Sequence, residues 1–281
     1  MPEILDHELV QALILGLVQG LTEFVPVSSS GHLVLLPALL GWPTPSLLML
    51  TVLHLGTLTA LVLAYRKDMA AILAGMFRSL RERRMVDYAA RDGWFLLLAT
   101  IPAGLAGLVV EPFVSDMLDK PVLAAWGLIG TACLLGGGEL AAWRREHTRY
   151  IEEMGWKDAA AMGLAQAVAL IPGVSRSGAV MATGRLLALD RAGAARFAFL
   201  LGAPVIAAAG AKELLGGDLT ATGQGWALFA ALAVGFLASA AAGWLAIKVL
   251  LAYLRHRTLW VFAIWCLAVG LVLIRVLPGM V

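Results

Sequence analysis

Long apolar runs, cut by charged or Pro/Gly-rich connections, set the rhythm of this chain. Six of them, at about 47–65, 94–112, 122–143, 194–213, 226–248 and 259–277, approach or exceed the roughly 20 residues that a helix needs to cross a bilayer. Two further apolar stretches are interrupted. The first, about 8–42, contains Glu23, Pro26, Ser28, Ser29, Ser30, Gly31 and His32; the second, about 159–189, contains Pro172, Gly173, Ser175, Arg176, Ser177 and Gly178. Proline deprives a helix of a backbone bond and clashes with the preceding turn, so each stretch should break there. Each half is expected to be too short to span alone. The pattern predicts two re-entrant helix–loop–helix hairpins, since irregular backbone at membrane depth survives only under a cover of protein or water. The expected fold class is an all-α polytopic membrane protein: six transmembrane helices plus two re-entrant helix hairpins.

Composition agrees. Hydrophobic residues make up 60% of the chain and charged residues 14%, against about 45–50% and 25% in soluble domains. A net charge of +2 and the absence of any recognisable module argue against a nucleic-acid partner. Cys133 and Cys266 sit in apolar runs and read as small hydrophobes. The first residues lack the basic start of a signal peptide, so the N-terminus is expected to be retained.

Basic residues alternate between connections. Arg66, Lys67, Arg78, Arg81, Arg83, Arg84 and Arg91 follow the first span; Arg144, Arg145, Arg149 and Lys157 follow the third; Lys248, Arg255 and Arg257 follow the fifth. The other connections balance Lys120 against Glu111, Asp116 and Asp119, and Lys212 against Glu213 and Asp218. The positive-inside bias puts the first set in the cytoplasm and both termini outside. The first hairpin would then enter from outside and the second from inside.

The interrupted stretches resemble each other. Gly16-Leu-Val-Gln19 matches Gly163-Leu-Ala-Gln166, and Val27-Ser28-Ser29-Ser30-Gly31 matches Val174-Ser175-Arg176-Ser177-Gly178, both at an offset of 147 residues (166 against 19, 175 against 28). A single membrane domain over 1–281 is expected, with repeat one at about 8–112 and repeat two at about 159–248. Inverted-topology repeats place binding sites near the midplane, where broken helices meet.

An ionisable group inside the membrane costs about 2.5–3.5 kcal/mol on insertion scales and is a functional candidate by default. Glu23, His32 and the Ser28–Ser30 run fall at one expected tip and Arg176 at the other. Arg176 offers a donor fork matched to phosphate oxygens, and the loop of Gly173, Ser175, Ser177 and Gly178 could add backbone N–H groups at a helix start. A structural ion pair with Glu23 is its bland alternative. Gln19 and Glu23, four apart, share a helix face and could hold a hard divalent cation, Mg or Ca. His32 is placed to move protons or attack phosphorus, and Ser28 and Ser29 are candidate nucleophiles or phosphate ligands. Serine runs also cap helices, and at least one of these is expected to do only that. His54 and Thr57 on the first span are expected mainly to pack.

The segments Gln19–His32 and Pro172–Gly178, with His54-Leu-Gly-Thr57 and Phe197–Pro204, closely resemble the bacterial undecaprenyl-diphosphate phosphatase family, known also for bacitracin resistance. The likeness covers nearly the whole chain. The family's Glu-or-Gln, three residues, Glu pattern falls on Gln19 and Glu23, its serine and histidine on Ser29 and His32, and its arginine motif on Pro172, Gly173, Ser175, Arg176 and Ser177. A threonine common a few positions later is Val180 here. The resemblance implies hydrolysis of undecaprenyl diphosphate to the monophosphate in the bacterial inner membrane, with a divalent cation and an active site open to the periplasm. Ser29 would attack with His32 as base, or His32 would assist a water. Self-association into a homodimer is a further expectation. A lipid flippase or transporter on the same repeats is the rival reading. A phosphatidic-acid-phosphatase-type site is disfavoured, because no histidine follows Ser175-Arg176 within the next stretch of chain.

Overall fold

The structure, a computed structural model, describes residues 2–113, 116–117, 120–145, 147–216 and 225–276. Asp119, Asp218 and the end of the sixth expected span lie outside these residues, and the side chain of Glu111 is likewise not described. Among them the regular structure is helical: α1 (Pro2–Phe24), α2 (Ser29–Leu40), α3 (Leu47–Ala64), α4 (Arg66–Glu82), α5 (Tyr88–Val110), α6 (Pro121–Trp143), α7 (Trp156–Val168), α8 (Arg176–Leu186), α9 (Arg191–Gly216), α10 (Gly225–Leu254) and α11 (Trp260–Val276). Five of these, α3, α5, α6, α9 and α10, are long and apolar enough to cross a membrane, and α11 is a 17-residue apolar helix.

Three expectations need correction. The arm before the first break is not short: α1 runs 23 residues, or about 34 Å at 1.5 Å per residue. Only α2, α7 and α8, with 12, 13 and 11 residues, are too short to span. The basic connection after α3 is largely helical, because Met69, Ile72 and Met76 recur at helical spacing and turn one side of α4 toward the bundle. Finally, α5 begins at Tyr88, six residues before the expected span, so the helix carries Arg91 and Asp92 in its first turns.

The break in each interrupted stretch is built alike. Ser28 caps α2, its Oγ accepting from Gly31 N at 3.2 Å; Ser175 caps α8, its Oγ accepting from Gly178 N at 3.0 Å. Each capping hydroxyl also meets a second serine, Ser30 at 3.3 Å and Ser177 at 3.2 Å. The caps satisfy N–H groups that a buried helix start would leave unpaired. The helices that follow pack in exchange. α1 and α3 lie against α10, while α7 and α9 lie against α5, and α3 meets α9 between them. The matched glycines show why. A Cβ on Gly16 would strike Gly235 O and the Ala238 methyl of α10, and one on Gly163 would strike Ala99 of α5. Backbones this close are how helices associate in lipid, where apolar burial alone does not drive packing.

Candidate active site

Between the two breaks lies a cavity of about 320 Å³. Its polar lining comes from Glu23, Ser28, Ser29, Ser30, His54, Ser175 and Arg176. Leu47 and Leu50 of α3 and Val205, Ile206 and Ala209 of α9 add apolar lining.

The hairpin tips touch. Gly173, with φ of 86°, packs against Ala124 so closely that any side chain would collide with it. Thr131 of α6 locks this turn, its hydroxyl lying 3.1 Å from Gly173 O and accepting from Ser175 N at 2.8 Å. Gly173 N in turn donates to Ser30 Oγ of the first hairpin at 3.5 Å. Ser28 holds a φ of 71°, unusual for a residue with a side chain, and this bend aims Ser29 back at α1.

Glu23, only 7% exposed, is the hub. Its Oε1 accepts from Arg176 Nη2 at 2.5 Å, an ion pair joining residues 153 positions apart. Its Oε2 accepts from Ser29 Oγ at 2.6 Å and Gln19 Nε2 at 2.9 Å, with His54 Nε2 at 3.8 Å. Arg176 is the first residue of α8 and its guanidinium lies flat against Gly202, where a Cβ would collide with Nη1. That Nη1 is buried and has no protein partner. A buried guanidinium N–H without a partner is uncommon and marks Arg176 as a functional candidate.

The structure therefore brings Gln19, Glu23, Ser28, Ser29, Ser175 and Arg176 together. It places His32 elsewhere. Its Nδ1–H donates to Ser28 O at 2.8 Å, and its Nε2 accepts from Trp265 Nε1 at 3.3 Å with the two rings stacked. Both nitrogens are occupied, and neither faces Ser29, so the expected pairing of Ser29 with His32 is not found. Ser177 is buried on its serine neighbour, Gly178 N is taken by the cap, and Gly173 supports the turn; none of the three lines the cavity. The residue underrated by sequence is His54. Its Nδ1–H donates to Leu50 O at 2.7 Å, which leaves Nε2 facing Glu23 and the cavity. The signal was available, because His54 is an ionisable residue inside a span, the same ground on which Glu23 was singled out. Thr57 does pack: it is fully buried and bonds back to His54 O at 2.8 Å.

Comparison with known proteins gives the family. The family model described as bacitracin resistance protein BacA matches residues 12–272. The chain belongs to the BacA family. A protein named undecaprenyl-diphosphatase 2 from Stutzerimonas stutzeri (strain A1501) is 40% identical over 97% of this chain and 99% of its own length. Proteins named undecaprenyl-diphosphatase from Myxococcus xanthus (strain DK1622) and Rubrobacter xylanophilus (strain DSM 9941) are 40% and 41% identical, covering 96% and 94% of this chain and 89% and 96% of their own lengths. The BacA match includes both breaks and every residue that lines the cavity.

Proposed function

We infer that this BacA-family chain hydrolyses undecaprenyl diphosphate to undecaprenyl phosphate and inorganic phosphate, returning the carrier lipid for cell-wall synthesis. The observation that carries the reading is Arg176 held on Glu23 at 2.5 Å in the lining of a cavity that polar and apolar side chains share. Arg176 and the Ser175–Arg176 helix start receive the diphosphate, its Nη1 supplying the free donor. Ser29 Oγ attacks the terminal phosphorus as its proton passes to Glu23 Oε2. The bond from that phosphorus to the bridging oxygen breaks, and undecaprenyl phosphate leaves. As it leaves, Glu23 returns the proton to the departing oxygen and is a carboxylate again. Water, deprotonated by Glu23 or His54, then attacks the phosphorus on Ser29. The bond from phosphorus to Ser29 Oγ breaks, and Ser29 Oγ takes the proton back as phosphate leaves. His54 takes the imidazole role first given to His32, because only His54 faces the reacting groups. His32 and Trp265 instead hold the Ser28 turn that aims Ser29.

A divalent cation, Mg or Ca, would be held by Gln19 and Glu23, with the Gln19 amide turned from its present hydrogen bond to Glu23. Gln19 Oε1 is buried without a hydrogen-bond partner, one helical turn from Glu23. Among the described residues no cluster of three or more His, Cys, Asp or Glu side chains could hold a metal, so phosphate oxygens and water would complete the coordination. Held by Gln19 and Glu23, the cation would neutralise charge on the phosphate oxygens.

For the fold, we propose six transmembrane helices and two re-entrant hairpins, α1–α2 and α7–α8, in an inverted repeat over about 8–112 and 159–248. The matched caps and the exchanged packing on α5 and α10 support it. The cavity would face the periplasm and both termini the outer side, as the basic connections at the opposite end suggest. Glu23, Ser29, His54 and Arg176 all line the cavity of one chain, so this reading does not require the homodimer.

The test uses the chain purified in detergent with undecaprenyl diphosphate. Phosphate should be released without any second compartment, and Arg176→Ala should cut release by about 10²–10³-fold while the protein stays monodisperse. Binding without hydrolysis would favour the transporter reading and refute this one.

A further inference from the structure

Helix α4 carries three separate faces. Asp68, Ile72, Gly75 and Ser79 form the inner face against the bundle, where Trp94 Nε1 donates to Ser79 Oγ at 3.2 Å and Arg196 Nη2 donates to Asp68 at 2.8 Å. A second face presents Leu73, Phe77 and Leu80, which are 67%, 68% and 62% exposed. Beside it lie Lys67, Arg78 and Arg81, continued by Arg83 and Arg84 at the helix end, with Arg78 paired with Asp87 and Arg84 with Glu82. Over residues 66–87 six basic side chains stand against Asp68, Glu82 and Asp87, a net charge of +3.

A topology signal alone would need only basic residues in a loop. It would not need a helix that sorts them to one side of a naked apolar stripe and fastens its third side to α5 and α9. Segregated apolar and basic faces are the pattern of a helix lying at a membrane surface, apolar side among acyl chains and basic side on headgroups. Arg145, Lys157, Arg255 and Arg257 belong to the other basic connections, which the positive-inside bias puts on the same side as α4.

We propose that α4 is a docking surface for anionic phospholipid on the leaflet that faces the basic connections. The partner's chemistry follows from charge complementarity: a phosphodiester headgroup with net negative charge, attached to acyl chains that cover Leu73, Phe77 and Leu80. The surface is distinct from the catalytic cavity, and none of its residues lines that cavity.

The test places a solvent-sensitive fluorophore on Phe77→Cys in a Cys133→Ala/Cys266→Ala background. The full chain is reconstituted in nanodiscs of phosphatidylcholine with phosphatidylglycerol rising from zero to about 30%. Phosphate release confirms that each preparation is folded. The probe should shift to the blue and be quenched by lipids brominated on their acyl chains, increasingly with phosphatidylglycerol. Each basic residue near an anionic surface is worth roughly fivefold in affinity. Lys67→Gln/Arg81→Gln/Arg83→Gln should therefore weaken the response roughly 100-fold while hydrolysis in detergent is unchanged. An equal response in neutral and anionic discs would overturn the proposal and point to a second copy of the chain on this face. A response that survives the triple substitution would overturn it as well.

Discussion

Replacing Glu23 by Gln separates catalysis from binding at this site. The substitution keeps the size of the side chain and an acceptor for Arg176, so the contact between the hairpins survives in weakened form. What disappears is the carboxylate that takes the Ser29 proton across 2.6 Å. A positioned general base contributes about 10²–10⁴-fold, so kcat should fall by that factor, or about 3–5 kcal/mol in barrier height. KM should not rise. In the wild-type chain Arg176 must loosen its 2.5 Å bond to Glu23 before it can serve the diphosphate fully, and in the variant that competition is relieved. The assay is phosphate release in detergent over a range of substrate, with thermal unfolding as a control for the fold. Because Glu23 is also a proposed cation ligand, the loss of kcat must persist when the cation is raised until the rate no longer responds. A variant whose kcat stays within about threefold of wild type would refute the assignment of Glu23 as base.

Other outcomes follow from single contacts. His54→Ala should lower kcat by about 10²-fold or more, whereas His32→Ala should act through the Ser28 turn and be partly rescued by Asn, whose amide can also donate to Ser28 O; equal, unrescued losses in both would contradict the assignment. Gly202→Ala should push the Arg176 guanidinium aside and cut kcat/KM at least tenfold although residue 202 touches no substrate, and unchanged kinetics would show that the guanidinium has room to spare. Chelation of divalent cations should stop phosphate release and readdition restore it, with Gln19→Ala requiring more cation for half-maximal rate. At the basic end, burial opposes the ionisation of Asp158, but the hydrogen bond from Arg149 and the Gly155 N–H outweigh it and hold its carboxyl below the usual value. A lowered folded-state pKa adds stability that is present above the unfolded value near 3.9 and is lost as pH falls through the folded value. Asp158→Asn should thus lower the midpoint of thermal unfolding at pH 7 by the equivalent of about 1 kcal/mol, and the difference should shrink toward pH 3.

How much of this was legible in the sequence depended on what each residue does alone. The interruptions at Pro26 and Pro172 could be read because proline and charge are costly in a membrane helix whatever surrounds them. The serine caps could be foreseen for the same local reason, though which serine would cap and which would face Glu23 depends on the φ of Ser28, a consequence of the packed turn. Gly16 and Gly163 were visible as a repeat, but their partners on α10 and α5 lie far along the chain and only the fold reveals them. His32 and His54 show the limit most clearly. Both are lone histidines in apolar surroundings, and motif proximity favoured His32. The choice rests on two backbone carbonyls and on Trp265, which is 233 positions from His32 in sequence. The helix α4 was hidden by its arginines, which read as a loop until Met69, Ile72 and Met76 are counted at helical spacing.

A double-mutant cycle on kcat/KM between Glu23 and Arg176 measures whether the two hairpin tips act as one unit. Groups that work on the same phosphate lose nearly everything at the first removal. Glu23→Gln/Arg176→Ala should therefore be no more than about threefold worse than the poorer single variant. Effects that multiply, so that the double variant shows the product of the two losses, would mean that the carboxylate and the guanidinium act independently.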